Sequence, residues 1–378
     1  MLGSGRAWVS LTFSTVAGTR VLMKSPLNVR LDASMKSATV WWLPIAFALI
    51  LLSVAPTAGA QNLYTGKVPV KDQSAAQLER GMAAALRQVV QKLSGLHQFD
   101  DDPALVDALG QARSMVSSFS YSNRARLMPN GERQDDLHLV VEFDSGAVDQ
   151  LVAALQLPLW KVERRALAIW LLVDDELGRR VMPVELEYAW LQMGRVAEDR
   201  GMPYTWPQPD SEGVYAVDTQ LLWGGYTDEL AADGPADALV VAARREGPEW
   251  HIRMNLGYGD QAWSWRSRSV ELQDALVEGM NRAINELVAV QSIAAADRGS
   301  WQHDLTVTGL NRGGDYARCL AYLQRLSMVK QVSVRSATAG RVVFSLSLTT
   351  LPDYLVATFQ SDGLLTTTAV EGVYVLAP

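Results

Sequence analysis

The sequence is poor in the residues that most often carry chemistry. Cys319 is its only cysteine, so no disulfide can form within one chain and apolar cores must hold the fold. The chain has four histidines, His97, His138, His251 and His303. No two of them have zinc-motif spacing, and HExxH, GxSxG and the Gly-Lys-Ser/Thr ending of a phosphate loop do not occur. We therefore predict no catalytic residue, no metal site and no cofactor.

Residues 61–378 are acidic and contain no run of basic residues. They carry 29 lysines and arginines against 40 aspartates and glutamates, a formal net charge of −11. Nucleic acids and anionic lipids attract proteins that present a basic stripe or patch. We therefore expect no nucleic-acid partner.

The segment 35–60 has the three parts of a secretory signal peptide, in the right order. Lys36 gives it a short positive start, and an almost unbroken apolar run follows. Ala58 and Ala60 then provide the small residues that a signal peptidase reads, which places cleavage before Gln61. We predict that the remainder is exported to the periplasm and has no stable membrane insertion after cleavage.

A membrane anchor is the alternative for this segment. A spanning helix needs about 20 apolar residues, and the run is close to that length. Pro44, Pro56 and the small residues at its end favour cleavage over retention. A retained segment would tether the protein to the inner membrane. Residues 1–34 show no clear element pattern, and we interpret them as an over-extended N-terminus.

Length and hydrophobic periodicity indicate three domains, 61–160, 161–295 and 300–378. In the first, apolar residues on one face predict a helix that begins after Ser74, with a capping box, and ends at Gly95. A strand precedes this helix, and two strands follow later. The pattern indicates an α+β domain.

The other two domains combine strands with helices. The apolar run 166–173 predicts a strand covered on both faces, and residues 272–288 form the clearest amphipathic helix. We predict a mixed sheet for this middle α/β domain. The last domain has the order strand, helix, strand, strand, helix, strand, which predicts a ferredoxin-like fold. The predicted fold class is therefore α/β and α+β, multi-domain, with mixed sheets.

Two features that could suggest chemistry have simpler structural interpretations. Cys319 lies on the apolar face of a predicted helix, so we expect a buried thiol. Asp100, Asp101 and Asp102 precede another predicted helix, but a calcium loop spaces its ligands along a longer turn with a glycine and a closing glutamate. We interpret them as acidic residues at a helix N-terminus, with Asp102 as the cap.

The most suggestive surface candidate is the segment that contains Trp263, Trp265, Arg266 and Arg268. On a strand, Trp263 and Trp265 share one face and Arg266 takes the other. Exposed tryptophans beside arginines would suit a glycan or a partner protein. The alternative is that both indoles pack under the helix of 272–288 while the two arginines are solvated.

Several stretches together resemble one family. They are LYTGKVPVKDQS near residue 63, PLW before RRALAIWLLVDD, RGMPYTWP at 200–207, the pair EWHIRMNL and QAWSW, and YLQRLSMVKQVSV near the C-terminus. With these stretches the chain resembles the proteobacterial exported proteins grouped as domain-of-unknown-function family 2066. The resemblance covers nearly all of 61–378. It implies an exported, periplasmic protein with no assigned activity and no catalytic residues to carry over.

Together, these observations predict an exported, non-enzymatic protein with a binding or accessory role in the cell envelope. Its partner would be another envelope protein or a cell-wall component. The alternative is a periplasmic hydrolase whose site is assembled only in three dimensions. A deep pocket with several converging titratable groups would reveal such an enzyme.

Overall fold

The computed structural model describes most of the chain after residue 61, in the ranges 62–99, 102–160, 163–215, 217–227, 230, 237–259, 261–370 and 372–377. All of them belong to one unit, Gln61–Pro378. The predicted signal peptide, with its cleavage residues Ala58, Ala60 and Gln61, lies outside the described residues, as does the segment 1–34. Within the described ranges, no helix is both long and apolar enough to cross a membrane.

The first elements along the chain form a small antiparallel sheet with helices packed on it. They are β1 (Thr65–Pro69), α1 (Ala75–Ser94), α2 (Pro103–Gly110), β2 (Val116–Leu127), β3 (Arg133–Phe143), α3 (Ser145–Ala154) and β4 (Leu159–Trp160). The strands are ordered β1-β3-β2. Leu86, Val89 and Leu93 of α1 are fully buried with Leu139 and Val141 of β3, because the apolar face of the helix lies on the sheet.

Local signals set the ends of the first two helices. The Ser74 side chain accepts a hydrogen bond from the Gln77 backbone N–H, and Gly95 ends α1 with a left-handed φ of 75°. The Asp102 carboxylate accepts from the Ala104 N–H at 2.9 Å and caps α2. Both findings confirm the predicted caps at Ser74, Gly95 and Asp102. The predicted capping box is only half formed, because the Ser74 N–H donates to Asp72 Oδ1 at 2.9 Å and not to the Gln77 side chain.

The middle of the chain forms a larger sheet, the central sheet. Its elements are β5 (Leu167–Asp175), β6 (Gly178–Val181), α4 (Glu187–Asp199), β7 (Tyr204–Thr205), α5 (Thr219–Gly224), β8 (Ala238–Glu246), β9 (Glu249–Tyr258), β10 (Gln261–Ser269) and α6 (Leu272–Gln291). The strand order is β10-β9-β8-β5-β6, with β7 beside β5. β5 runs parallel to β7 and β8, and the other neighbours are antiparallel. The sheet is therefore mixed, as predicted.

The two faces of the central sheet are covered differently. One face packs under α4 and α6 and forms the largest core, which includes Leu171, Val241 and Met254. The opposite face carries a smaller apolar cluster around Trp170 and Leu222. Side chains alternate between the two faces along each strand. Polar strand residues two positions along from this smaller cluster therefore lie on the same face as the cluster.

The C-terminal elements form a third major sheet. They are β11 (Ser292–Ile293), which pairs with β4, followed by β12 (Arg298–Leu310), α7 (Gly313–Arg325), β13 (Val329–Thr338), β14 (Gly340–Thr350), α8 (Pro352–Asp362), β15 (Leu365–Thr367) and β16 (Val373–Leu376). The sheet order is β13-β14-β12-β16-β15. β14 is antiparallel to β12. A strand that follows β14 after one helical crossover would run parallel to β14, and therefore antiparallel to β12. β15 reverses the chain once more, so β16 runs parallel to β12. The ferredoxin-like arrangement therefore stays unconfirmed.

Buried charged side chains connect the first sheet layer to the central sheet. Arg164 donates to the carbonyls of Lys92 and Gly201, both at 2.6 Å, and its guanidinium lies 3.6 Å from the centre of the Trp160 ring. Burial lowers the pKa of the Arg164 guanidinium to about 9. The Lys92 ammonium donates to the Thr65 carbonyl at 2.9 Å, and burial lowers its pKa too. Arg164 thus joins the two layers, whereas Lys92 joins α1 to β1 within the first layer.

Candidate functional site

The register of the central sheet aligns a row of charged residues across five strands. Arg268 of β10 lies opposite His251 of β9, and His251 lies opposite Arg244 of β8. Arg244 is paired with Asp174 of β5, which lies opposite Arg179 of β6. Neighbouring strands are about 4.8 Å apart, so this row spans roughly 19 Å.

A second row lies two residues further along the strands, on the same face. Here Arg266 of β10 is directly opposite Arg253 of β9, and Arg253 is opposite Ala242 of β8. Residues in a directly opposed antiparallel pair are about 5 Å apart at their Cα atoms. Two positive charges in such a pair destabilise the sheet, typically by a few tenths of a kcal/mol.

The two rows line an open groove of about 700 Å³. We call it the arginine groove, after its five arginines, Arg179, Arg244, Arg253, Arg266 and Arg268. Trp223, at the end of α5, forms a side wall, and the Arg179 guanidinium lies 5.1 Å from the centre of its indole. Arg179 and Arg244 have about half of their side-chain surface exposed, at 48% and 51%. The groove is therefore accessible to a solute.

One carboxylate holds two of these arginines in place. Asp174 Oδ2 accepts hydrogen bonds from Arg244 Nε at 3.2 Å and from Arg179 Nε at 3.4 Å. Each arginine uses only its Nε in this pair, so its terminal nitrogens stay available to a ligand. Asp174 thus orients Arg179 and Arg244 and leaves the N–H donors of their terminal nitrogens free to bind a ligand.

The other basic side chains of the groove differ in how many hydrogen bonds and ion pairs they make with the described residues. Arg253 donates to the backbone carbonyl of Trp223, and its Nε is buried without an acceptor among the described residues. His251 Nε2 lies 3.7 Å from Glu246 Oε2 at the rim. Arg266 and Arg268 are exposed and make no ion pair or hydrogen bond with the part of the chain that the structure describes.

The groove has an excess of positive charge in a protein that is acidic overall. Among the residues that the structure describes, its five guanidinium groups face two carboxylates, Asp174 and Glu246, which leaves three positive charges uncompensated when His251 is counted as neutral. A concentration of one charge sign in a concave surface raises the local concentration of ions of opposite sign. The arrangement is therefore suited to bind an anion.

The two tryptophans of the sequence-predicted surface lie on the opposite face from the arginine groove. Trp265 is only 7% exposed, belongs to the core under α6, and has the Arg282 guanidinium 5.1 Å from its ring centre. Trp263 is half-buried against the same core and lines a second cavity of about 150 Å³. This is the alternative that the sequence left open, and only Arg266 and Arg268 of the predicted set face the arginine groove.

Two residues outside the groove could suggest chemistry, Cys319 and His303. Cys319 is fully buried, as expected, and burial raises the pKa of its thiol to about 11, which disfavours the nucleophilic thiolate. His303 is partly buried, which lowers its pKa. In the described ranges, no three histidine, cysteine or carboxylate side chains lie close enough to hold a metal ion.

Sequence reasoning finds two of the five groove arginines and misses Arg179, Arg244 and Arg253. Arg179 and Arg244 lie near the ends of their strands, whereas Arg253 lies in the middle of β9, on the face opposite the buried Ile252 and Met254. The one available signal is the i, i+2 spacing of Arg266 and Arg268, which places both on one strand face. Which residues lie beside them depends on strand order.

The fold and the groove define an α/β protein with mixed sheets and an arginine-lined groove on its central sheet. Residues 58–161 match the family model described as Domain of unknown function (DUF8605). This corrects the resemblance to domain-of-unknown-function family 2066, because the family model that matches is a different one. The stretches that carried the resemblance are largely strands and helix ends, which many α/β chains share.

The family match does not reach the candidate site. It ends just after β4, whereas the groove arginines begin at Arg179. No curated protein and no solved structure matches the chain. The function of the groove must therefore be argued from its own geometry.

Proposed function

We propose that the protein is an exported, non-enzymatic binding protein of the cell envelope, and that its arginine groove holds an anionic envelope component. The observation that carries the proposal is the excess of three positive charges on an open sheet face, with Arg266 and Arg268 unpaired among the described residues. Arginine suits such a site because its planar guanidinium binds carboxylate and phosphate oxygens in pairs.

The same geometry favours binding over catalysis. Nucleophilic catalysis needs a nucleophile and a base within hydrogen-bond reach. Among the described residues that line the groove, Ser267 has the only hydroxyl side chain, and strand alternation directs it to the face opposite Arg266 and Arg268. The alternative of a hydrolase assembled in three dimensions thus lacks, in the part of the chain that the structure describes, a hydroxyl or thiol nucleophile that points into this groove.

Export is proposed from the leader alone. The n-region, apolar run and small residues before Gln61 support it. N-terminal sequencing of the protein purified from its own cells is expected to read from Gln61, with the protein recovered in the periplasmic fraction. A mature chain that begins at Met1 or Met35 would contradict cleavage, and recovery with the inner membrane would support the tethered alternative.

Anion binding is tested with the variant Arg266→Gln/Arg268→Gln. Both side chains are exposed, so the fold should survive their replacement. Titration calorimetry with dextran sulfate at low salt is expected to show binding by the wild type and about tenfold weaker binding by the variant. This corresponds to about 0.7 kcal/mol for each of the two exposed charge contacts.

The matched control removes two exposed positive charges from the C-terminal sheet, in Lys330→Gln/Arg341→Gln. It has the same net charge as the groove variant and should bind like the wild type. Equal weakening in both variants would show that net charge, not the groove, attracts the anion, and the proposal would fail. If the wild type hydrolyses an anionic ester and the groove variant does not, the groove is a catalytic site and the proposal of a non-enzymatic binding protein is wrong.

A further inference from the structure

We infer that the arginine groove has two subsites for phosphoryl groups and takes a ligand that carries two of them. This inference rests on the proposed anion-binding function and specifies the ligand class. It follows from the way the two rows of side chains divide the five arginines.

The first subsite lies between β9 and β10. Arg253 and Arg266 are directly opposed there, so their side chains leave the sheet about 5 Å apart and on the same face. Arg253 is held by its bond to the Trp223 carbonyl, and Arg266 has no partner among the described residues. An anion bound between them would receive donors from both sides and would remove the repulsion of the opposed pair.

The second subsite is centred on β9 in the other row. Arg244 and Arg268 flank His251, one strand away on either side. Asp174 holds Arg244 by its Nε, which directs the rest of that guanidinium away from the carboxylate. The three side chains surround one position from which an anion can accept several hydrogen bonds.

The spacing of the subsites sets the length of the ligand. The rows are two residues apart along the strands, which is roughly 7 Å at about 3.4 Å per residue. Long arginine side chains adapt by a few ångströms. A single small anion therefore fills one subsite only, whereas two anionic groups joined by a short spacer can fill both.

The donors favour phosphoryl groups over carboxylates. A phosphate monoester carries three terminal oxygens and up to two negative charges, so it can accept from two guanidinium groups at once. A carboxylate has two oxygens and one charge. The three positive charges that remain after Asp174 and Glu246 are counted favour the ligand with more negative charge on each group.

The side wall indicates that the spacer is organic. The Trp223 indole lines the groove next to Arg179 and gives it an apolar surface, on which a sugar ring or an acyl-glycerol unit can lie. A phosphorylated sugar and a lipid headgroup with two phosphates share this chemistry.

The test compares four soluble probes by titration calorimetry with the full protein. They are inorganic phosphate, citrate, tripolyphosphate and a hexose 1,6-bisphosphate. The expected result is that the bisphosphate and tripolyphosphate bind at least about tenfold more tightly than phosphate and citrate, because only they occupy both subsites. Equal affinity for citrate, or no gain from the second phosphoryl group, would overturn the two-subsite inference.

Single variants locate the subsites. Arg266→Gln and Arg268→Gln should each reduce bisphosphate affinity to nearly that of phosphate, while phosphate itself, which can use the intact subsite, weakens by about twofold or less. Glu246→Gln removes a rim carboxylate and should tighten bisphosphate binding by about two- to threefold. An equal loss of phosphate and bisphosphate affinity in both single variants would contradict two separate subsites.

Vesicles distinguish the two sources of the ligand. Cardiolipin, which carries two phosphates, is compared with phosphatidylglycerol at equal total charge. Preferential binding to cardiolipin would assign a lipid headgroup, and binding of the soluble bisphosphate alone would assign a free phosphorylated molecule. If dextran sulfate binds but no phosphoryl probe is preferred, only this inference fails. If no anion binds, the proposed function fails as well.

Discussion

Replacing Arg200 with methionine is expected to lower the free energy of unfolding by about 3 kcal/mol. Arg200, at the C-terminal end of α4, is only 3% exposed. Its Nη2 donates to the Gly95 carbonyl at 2.7 Å and to Asn285 Oδ1 at 2.9 Å, and its Nη1 donates to Asn281 Oδ1 at 3.1 Å. One guanidinium thus joins the end of α1 to α6.

Methionine keeps much of the aliphatic volume but provides no donors. The buried Gly95 carbonyl would then lose its partner, and such an unsatisfied group costs about 1–3 kcal/mol. The half-buried Asn281 and the exposed Asn285 would also lose their bonds to the guanidinium, but water can replace it there. Burial lowers the pKa of the Arg200 guanidinium to about 10, which shows that its charge is already costly and that removing it offsets part of the loss.

The measurement is the midpoint and slope of urea unfolding, followed by tryptophan fluorescence. Arg200→Lys should have an intermediate midpoint, because one ammonium reaches fewer of the three acceptors. Arg80→Met, an exposed arginine on α1, is the control and should change stability by no more than about 0.5 kcal/mol. A wild-type midpoint for Arg200→Met would show that the network between the layers contributes nothing.

The second large effect is expected from Gly66→Ala, a loss of about 3 kcal/mol. β1 passes so close to α1 that a Cβ on Gly66 would lie 2.5 Å from the Ala85 carbonyl oxygen and 2.7 Å from the Ala85 Cβ. Both atoms belong to the buried centre of α1 and cannot move without shifting the helix. The clash outweighs the gain of up to about 1 kcal/mol that alanine brings by restricting the unfolded chain.

A double variant tests the cause of this loss. Gly66→Ala/Ala85→Gly removes the contact with the Ala85 Cβ but keeps that with its carbonyl oxygen, so it should recover only part of the loss once the cost of glycine in α1 is subtracted. Gly110→Ala, with open space around its Cα, should be neutral or slightly stabilising. If the effects of Gly66→Ala and Ala85→Gly on the free energy of unfolding are additive, the contact between these two residues is not the cause of the loss.

Much of the local structure is predictable from the sequence because its signals are short-range. The apolar stripe and the caps at Ser74 and Gly95 bound α1, and the uninterrupted apolar run after residue 166 corresponds to β5 with both faces covered. Sequence patterns do not find β6 or β15, which are four and three residues long. Strands of that length are determined by the neighbour with which they pair.

The candidate site is predictable only in part. The sequence assigns Arg266 and Arg268 to one strand face. It leaves two arrangements open for Trp263 and Trp265, which could be exposed or packed under α6. Packing under α6 decided between these, because burying two indoles on the core face removes far more apolar surface from water than leaving them exposed.

What the amino-acid sequence determined by itself is most of the longer helices and strands, the α/β class with mixed sheets, and the buried thiol of Cys319. It also determined which residues of one strand share a face, because side chains alternate with a period of two. Only the tertiary structure decided that arginines from four strands form one groove in an acidic chain. The physical reason is that strand order and register are long-range properties, and residues as far apart as Arg179 and Arg268 become neighbours only when β6 and β10 join the same sheet.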